Sequence, residues 1–237
     1  AYRNVDALYV AANVARIKAR APHVDHVFLT TAGEEARAVV GDPGKVSYIP
    51  NPADPAVECF DNSQKDADAF ERDLVFCGRG DPKLPRFETI RRLKKEIGDE
   101  LKFETFGFDG EPAVWGADYD RVLASSKMGL SLNRQEGALL SSSARVAQLM
   151  GNGLLTFIHE STGLQNFFEG RAVFFSSTED LCKKLLEFQY DDEARRSIAS
   201  AGHAFVHKAM SSSAIAEFIV GKSTDSGYND RVCWDSV

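Results

Sequence analysis

The sequence has 237 residues, a length typical of one large domain or two small ones, so an array of several domains is excluded. Hydrophobic residues make up 43% of the chain, which supplies enough apolar surface for a buried core. The formal charge is -7, with 28 Lys and Arg against 35 Asp and Glu, and this balance argues against nucleic acid or an anionic membrane as the main partner.

The chain shows no pattern of membrane insertion or export. Its longest apolar stretches fall far short of the roughly 20 residues that span a bilayer, and its N-terminus lacks the basic and then apolar layout of a signal peptide. The cysteines are too few and too scattered for a disulfide framework or a zinc site. These features favour a reducing cytoplasm. Because the sequence begins at Ala1 without Met, we expect it to be part of a longer protein.

The first part of the chain alternates between helix and strand. Apolar residues at helical spacing predict a first helix that Asn4 caps and that ends near Pro22. A run of prolines between 50 and 55 later breaks regular structure, so we place a domain boundary after residue 57. Between these points, the predicted elements are strands at 27–30 and 46–49 and a helix at 34–40.

Beyond a polar stretch at 61–68, short apolar strands alternate regularly with helices. Ser177–Asp180 has the pattern of a capping box and predicts the start of one of these helices. The predicted strands are 74–77, 102–106, 128–132, 154–158 and 172–175. The predicted helices are 84–97, 117–126, 142–150, 177–188, 192–208 and 213–220.

This alternation predicts the fold class and the place to look for a site. Strands joined by helices of this length favour right-handed crossovers, and therefore an α/β, Rossmann-like parallel sheet with helices on both faces. We assign this domain to residues 58–222 and find no usable periodicity in the tail, 223–237. Ligands of such sheets bind at the carboxyl ends of the strands. The loops to examine therefore follow Cys77, Phe106, Leu132 and Ile158.

The loop Gly78-Arg79-Gly80 follows a strand and precedes a helix. It can offer bare backbone amides, a helix N-terminus and a cation to a phosphate. The alternative is a turn that uses glycine only for its permitted backbone dihedrals. Residue 83 is Lys where the dinucleotide fingerprint has its third glycine, which disfavours an NAD-dependent dehydrogenase.

A second polar loop runs from the third strand of this series into the next helix. Consecutive serines at 141–143 place hydroxyl groups at the positive end of a helix dipole, and Arg134 and Arg145 add charge. This composition suits an anionic ligand, and Gln148 is placed to face a sugar hydroxyl. The alternative is a capped helix with a solvated arginine.

His159 begins the loop after the fourth strand and is a candidate acid–base group, with an ordinary surface histidine as the alternative. Two Asp-x-Asp pairs, at 66–68 and 118–120, do not follow strands. His203 and His207 are four residues apart on a helix but lack a third ligand. We therefore predict no metal site.

Several of these segments, taken in register, resemble one protein family. They resemble the C-terminal half of GT-B glycosyltransferases of group 1, most of all the bacterial CgeB-like group. A weaker similarity covers 26–55, and it implies that residues 1–57 are the end of an N-terminal, acceptor-side Rossmann half with its linker. The segments with the clear resemblance are 74–80, 119–134, 145–157, 172–186 and 195–206.

The resemblance implies a glycosyltransferase that holds a nucleoside-diphosphate sugar between two Rossmann domains and transfers the sugar to a glycan or lipid-linked acceptor. No cofactor or metal is expected, no nucleic acid is involved, and peripheral contact with a membrane stays open. The expected catalytic residues are Arg79, Arg145 and His159. The expected donor-binding residues are Gly78, Arg79, Gly80, Gly107, Arg134, Ser142, Ser143, Arg145 and Gln148.

Two positions depart from the family pattern. Gln148 stands where many relatives have a glutamate that binds the ribose hydroxyls, and residue 140, where a partner glutamate is expected, is Leu. A domain that binds a nucleotide or glycan without turnover is therefore one alternative. Another Rossmann-type enzyme, such as a nucleotide-sugar epimerase or a dehydrogenase, is a second.

Overall fold

The computed structural model describes residues 2–4, 8, 10–134, 137–141, 143–224 and 232–234. Within these ranges the chain forms a three-stranded sheet, followed by a five-stranded sheet, and all strand pairs are parallel. The order in the first sheet is β1-β2-β3. Its strands are β1 (Tyr2–Asn4), β2 (Val27–Leu29) and β3 (Val46–Tyr48), and its helices are α1 (Ala11–Arg20) and α2 (Glu34–Val40).

The start of the chain differs from the prediction. Asn4 does not cap a helix, because Tyr2–Asn4 pairs with β2 as a strand and α1 begins only at Ala11. Three residues are too few to show a strand period, and the apolar Leu8 and Val10 extended the helical pattern towards the N-terminus. The predicted helix over 34–40 is confirmed as α2.

The second sheet has the order β5-β4-β6-β7-β8. The predicted strands are confirmed, with ends that shift by one or two residues, and α6 was not predicted. The strands are β4 (Arg72–Cys77), β5 (Phe103–Phe106), β6 (Ser126–Ser131), β7 (Leu155–His159) and β8 (Val173–Phe175). The helices are α3 (Pro85–Ile97), α4 (Ala117–Ala124), α5 (Ala144–Gly151), α6 (Gln165–Phe168), α7 (Thr178–Tyr190), α8 (Asp192–Ala209) and α9 (Ser212–Thr224).

Local sequence explains why these elements begin and end where they do. In α3 the proline at the first helical position cannot donate to a preceding turn, and Gly98 ends the helix with a φ of 55°. The Oγ of Ser177 accepts from the amide of Asp180 at 3.2 Å and opens α7. The Asp180 carboxylate accepts in return from the amide of Ser176 at 3.0 Å, one residue earlier than a standard capping box.

The strand order creates a crevice at one edge of the second sheet. From β4 the chain moves to β5 on one side and then crosses to β6 on the other, so the order reverses between β4 and β6. Ligands of open parallel sheets bind outside the carboxyl ends of the strands at such a point. The loops after Cys77 and Ser131 therefore border the expected site.

One hydrophobic cluster joins the two sheets. It combines Phe28 and Tyr48 of the first sheet with Val146 and Met150 of α5 and Phe218 of α9. The rings of Phe28 and Phe218 meet edge to face, with centroids 6.1 Å apart. The last helix of the described chain therefore packs against the first sheet.

Two segments run between the sheets side by side. The amide of Ala53, after β3, donates to the carbonyl of Met210, between α8 and α9, at 3.0 Å. The amide of Ser212 donates back to the carbonyl of Ala53 at 3.0 Å. The boundary predicted after residue 57 stays a prediction, and the described part of the tail from 223 onward begins inside α9. Among the described helices, none combines the length and the apolar character needed to cross a bilayer.

Candidate functional site

A cavity of about 740 Å³ lies at the carboxyl ends of β4, β5 and β6. This volume falls within the range of roughly 300 to 1,000 Å³ that is common for small-molecule sites. Most of the residues predicted from the sequence meet here. Those that line the cavity are Gly78, Arg79, Gly107, Arg134, Ser143, Arg145 and Gln148.

Arg145, in the first turn of α5, connects the ends of two strands. Its Nε donates to the carbonyl of Cys77 at 2.8 Å, and its Nη1 donates to the carbonyl of Leu132 at 3.1 Å. The guanidinium lies over the ring of Phe76, 4.8 Å from its centroid. Burial lowers the pKa of Arg145 below its usual value, but an arginine side chain in a protein keeps its charge. The cavity therefore has a fixed cation in its wall.

Close packing explains the glycines after β4. A Cβ on Gly78 would lie 2.8 Å from Nη2 of Arg145, and one on Gly80 would lie 2.9 Å from the Cα of Phe108. Neither glycine has a positive φ. The alternative of a turn that needs glycine for its dihedrals therefore does not apply, and each glycine is present because a neighbour leaves no room for a side chain.

The expectation that these glycines offer bare amides is wrong. The amide of Gly78 donates to the carbonyl of Phe106 at 2.9 Å, and that of Gly80 donates to the carbonyl of Gly107 at 2.7 Å. These bonds continue the β4–β5 ladder past the strand ends, because the two loops run next to each other. Gly80 is also outside the lining of the cavity.

Sequence reasoning missed Arg86, which lines the same cavity and is only 5% exposed. Its Nη2 donates to the carbonyl of Arg79 at 2.6 Å, and its guanidinium lies 5.7 Å from the centroid of Phe76. A signal existed in the sequence. Arg86 is in the first turn of α3, where the helix dipole disfavours a cation. An arginine at this position therefore indicates a local interaction that offsets the unfavourable dipole.

Uncharged groups also line the cavity. The hydroxyl of Tyr119 donates to Oε1 of Gln148 at 3.0 Å, which leaves the amide nitrogen of Gln148 as the group that can face a ligand. Burial raises the pKa of Tyr119, so its hydroxyl stays protonated. Burial also raises the pKa of the Cys77 thiol to about 12, which makes it a neutral part of the wall. Trp115 belongs to the same lining and has 79% of its surface exposed.

Hydroxyl groups complete the lining. The Oγ of Ser143 is buried and has no hydrogen-bond partner among the described residues. Thr30 and Thr31, which directly follow β2 in the first sheet, are 4% and 6% exposed and also line the cavity. The site therefore has one wall from each sheet.

His159 lies elsewhere, in a second cavity of about 260 Å³ that shares Arg86, Leu132 and Asn133 with the first. Its Nδ1 accepts from the amide of Ser161 at 3.1 Å. The structure thus does not bring His159 together with Arg79 and Arg145, and its acid–base role stays a prediction. Ser142, another predicted donor ligand, lies outside the described residues.

Within the described ranges, no three His, Cys, Asp or Glu side chains are close enough together to hold a metal ion. In each of the two Asp-x-Asp pairs, one aspartate instead forms an ion pair with an arginine. Asp118 pairs with Arg121, and Asp66 pairs with Arg196 at 2.8 Å.

Residues 86–221, more than half of the chain, match the family model described as glycosyl transferase-like. The chain belongs to this family. No curated protein is similar enough in sequence to match. The matched region contains most of the second sheet, with Arg86 at its start and the loop of Arg134 and Arg145 within it.

Solved structures show that this glycosyl transferase-like chain has the fold of GT-B glycosyltransferases. HepE of Anabaena, in complex with UDP and glucose, is 12% identical with a TM-score of 0.66, and the match covers 93% of this chain and 71% of HepE. Sucrose-phosphate synthase from Thermosynechococcus elongatus is 16% identical with a TM-score of 0.59, over 92% of this chain and 62% of the synthase. TarM of S. aureus is 13% identical with a TM-score of 0.62, over 94% of this chain and 48% of TarM. The chain therefore spans only part of the length of each of these proteins.

Proposed function

We propose that this chain binds a nucleoside-diphosphate sugar in the 740 Å³ cavity and transfers the sugar to a glycan or lipid-linked acceptor without a metal ion. One observation carries the proposal. Among the described residues, the lining of this cavity contains four arginines and no Asp or Glu, although the protein as a whole has a formal charge of -7. The four are Arg79, Arg86, Arg134 and Arg145.

Such a concentration of guanidinium groups suits a diphosphate. Guanidinium groups bind phosphate oxygens through two parallel N–H donors. In glycosyl transfer, negative charge grows on the departing diphosphate as the bond to the sugar breaks. Cations that are already in place stabilise that charge more in the transition state than in the ground state. Arg145 meets this requirement best, because the carbonyls of Cys77 and Leu132 hold it in place before a ligand arrives.

The uncharged groups of the lining suit the nucleoside. The amide nitrogen of Gln148 can donate to a ribose hydroxyl, and the exposed face of Trp115 offers a stacking surface for a base. HepE was solved with UDP and glucose, and TarM with UDP among its ligands. UDP is therefore the first probe.

Isothermal titration with UDP tests the proposal. We expect binding to the wild-type chain and at least a tenfold loss of affinity in Arg79→Met and in Arg134→Met. Arg91→Met is the matched control, because Arg91 is an exposed arginine on α3 that lies outside the cavity lining. If neither UDP nor any other nucleoside diphosphate binds at millimolar concentration, the proposed function is wrong.

A domain that binds without turnover is the second candidate. Leu140 supports it, because this position carries an apolar side chain that is 3% exposed and packs in the core. Release of glucose or its transfer from UDP-glucose, measured by chromatography and abolished in Arg145→Met, would decide for the enzyme.

A further inference from the structure

We propose that Thr30 and Thr31 bind hydroxyl groups of the sugar that the donor carries, and that they thereby select which sugars the cavity accepts. This inference rests on the proposed function, since it assigns one part of the donor to one wall of the cavity. Both threonines directly follow β2 of the first sheet, and the rest of the lining comes from strand ends, loops and helices of the second.

The described part of the protein supplies no hydrogen-bond partner to either hydroxyl. Thr30 and Thr31 are 4% and 6% exposed, and among the described residues neither side chain makes a hydrogen bond. Neither Oγ1 is among the fully enclosed side-chain atoms that lack a partner, so both hydroxyls can contact what enters the cavity. A ligand in the cavity that both residues line would supply the missing bonds.

The chemistry of these groups indicates a sugar and not a phosphate. The two hydroxyls carry no charge, and each can both donate and accept, as a sugar hydroxyl does. The arginines of the described lining, which suit phosphate, all come from loops and helices of the second sheet: Arg79, Arg86, Arg134 and Arg145. A donor with its diphosphate at those arginines and its nucleoside towards Gln148 has only its sugar left to contact the first sheet.

The backbone around the threonines is fixed in place. The amide of Ala32 donates to the carbonyl of Leu139 at 3.0 Å, and the amide of Ile49 donates to the carbonyl of Leu29 at 2.8 Å. The first of these bonds connects the threonine loop directly to the segment that follows Arg134. Hydroxyls held in this way discriminate strongly, because a sugar that lacks the matching hydroxyl leaves them unpaired.

The test compares two ligands on the same variants. Thr30→Val and Thr31→Val remove the hydroxyl and keep the shape of the side chain. By isothermal titration we expect the affinity for UDP to stay within twofold of wild type, and the affinity for UDP-glucose to fall about three- to tenfold in each variant. Thr30→Ser and Thr31→Ser keep the hydroxyl and should retain most of the affinity for UDP-glucose.

Thr162→Val is a control for burial, because Thr162 is also 6% exposed but lines the second cavity, where its hydroxyl donates to the carbonyl of His159 at 2.9 Å. Loss of UDP-glucose affinity in this control and not in the other valine variants would overturn the inference and place the sugar in the second cavity. Equal loss for UDP and UDP-glucose, or no loss for either, would also overturn it. Failure of the wild type to bind UDP would instead overturn the proposed function, and this inference with it.

A measurement on the wild type avoids any dependence on whether the variants fold. With ¹³C-labelled threonine methyl groups, the NMR signals of Thr30 and Thr31 should shift when UDP-glucose is added and stay in place when UDP is added. Signals that respond equally to both ligands would contradict the assignment of these residues to the sugar.

Discussion

Arg145 serves both the fold and the proposed chemistry. Its side chain holds together the ends of β4 and β6 through the carbonyls of Cys77 and Leu132, and its charge lies in the wall of the cavity. Arg79 is different, because it is exposed at the same cavity. Two arginines with one expected role in binding therefore differ in their role in folding.

This difference gives a prediction at the residue scale. Arg145→Met should lower the free energy of unfolding by about 2 to 4 kcal/mol, because two carbonyls lose a charged donor, whereas Arg79→Met should change it by less than about 0.5 kcal/mol. Urea unfolding of the two variants measures this. Similar stability losses in both would contradict the structural role assigned to Arg145.

The residues of the site were predictable where they follow strands, and not where they depend on tertiary packing. Arg79, Arg134 and Arg145 could be found because the carboxyl ends of neighbouring parallel strands must share one edge. Thr30 and Thr31 could not, because no local pattern says which loop of the first sheet will face the second.

At the scale of elements, Leu140 anchors the described part of the loop between β6 and α5. Leu140 has a φ of 53°, its amide donates to the carbonyl of Thr162 at 2.7 Å, and its side chain is buried in the cluster that joins the sheets. A leucine in the left-handed region is strained, so the surrounding packing must hold it there. Residue 140, where the sequence departs from the family pattern, is thus a core position in this structure.

Because the backbone at Leu140 has a positive φ, a glycine should destabilise the chain less than an alanine at this position, which is the reverse of the usual order. Leu140→Ala and Leu140→Gly both remove the buried side chain and should each destabilise the chain by about 2 to 5 kcal/mol. Because glycine adopts a positive φ without strain, the glycine variant should be more stable than the alanine variant by about 1 kcal/mol. Urea denaturation of the two variants tests this, and a more stable alanine variant would show that the backbone at 140 is not strained.

Elements of the second sheet were predictable because each strand is apolar and each helix has one apolar face. Phe87, Ile90, Leu93 and Ile97, for example, recur at helical spacing and are all buried in α3. β1 and α6 were missed because three or four residues are too short to show a period. The reciprocal bond of Asp180 to Ser176 shows that a capping motif predicts a helix start better than the individual bonds.

At the scale of the whole molecule, α8 packs against the segment that leads from the first sheet to the second. Nδ1 of His203 lies 3.9 Å from the carboxylate of Asp61, and its ring meets that of His207 with centroids 4.4 Å apart. Burial lowers the pKa of His203, the nearby His207 lowers it further, and Asp61 opposes the change. The net direction is downward.

This lowered pKa predicts that acid destabilises the chain. Below the ordinary histidine pKa of about 6.5 the unfolded chain binds a proton at this position more readily than the folded chain. The contribution of His203 to the free energy of unfolding is therefore complete above about pH 6.5. It is lost as the pH falls towards the folded-state pKa of His203, by at most about 1.4 kcal/mol per pH unit. Urea midpoints at pH 7.5 and 5.5 measure it. His203→Gln should show a smaller decrease than wild type, and the exposed His23→Gln should match wild type.

The two segments that run side by side between the sheets, paired at Ala53 and Ser211, limit how the sheets can move relative to each other. Since the last helix returns to the first sheet, the second sheet is attached through an outgoing and a returning segment, and these are hydrogen-bonded to each other. If only one segment connected the sheets, the second sheet could rotate about that segment. Two segments bonded side by side resist such a rotation, so Thr30 and Thr31 keep their place next to the loops of the second sheet that line the same cavity.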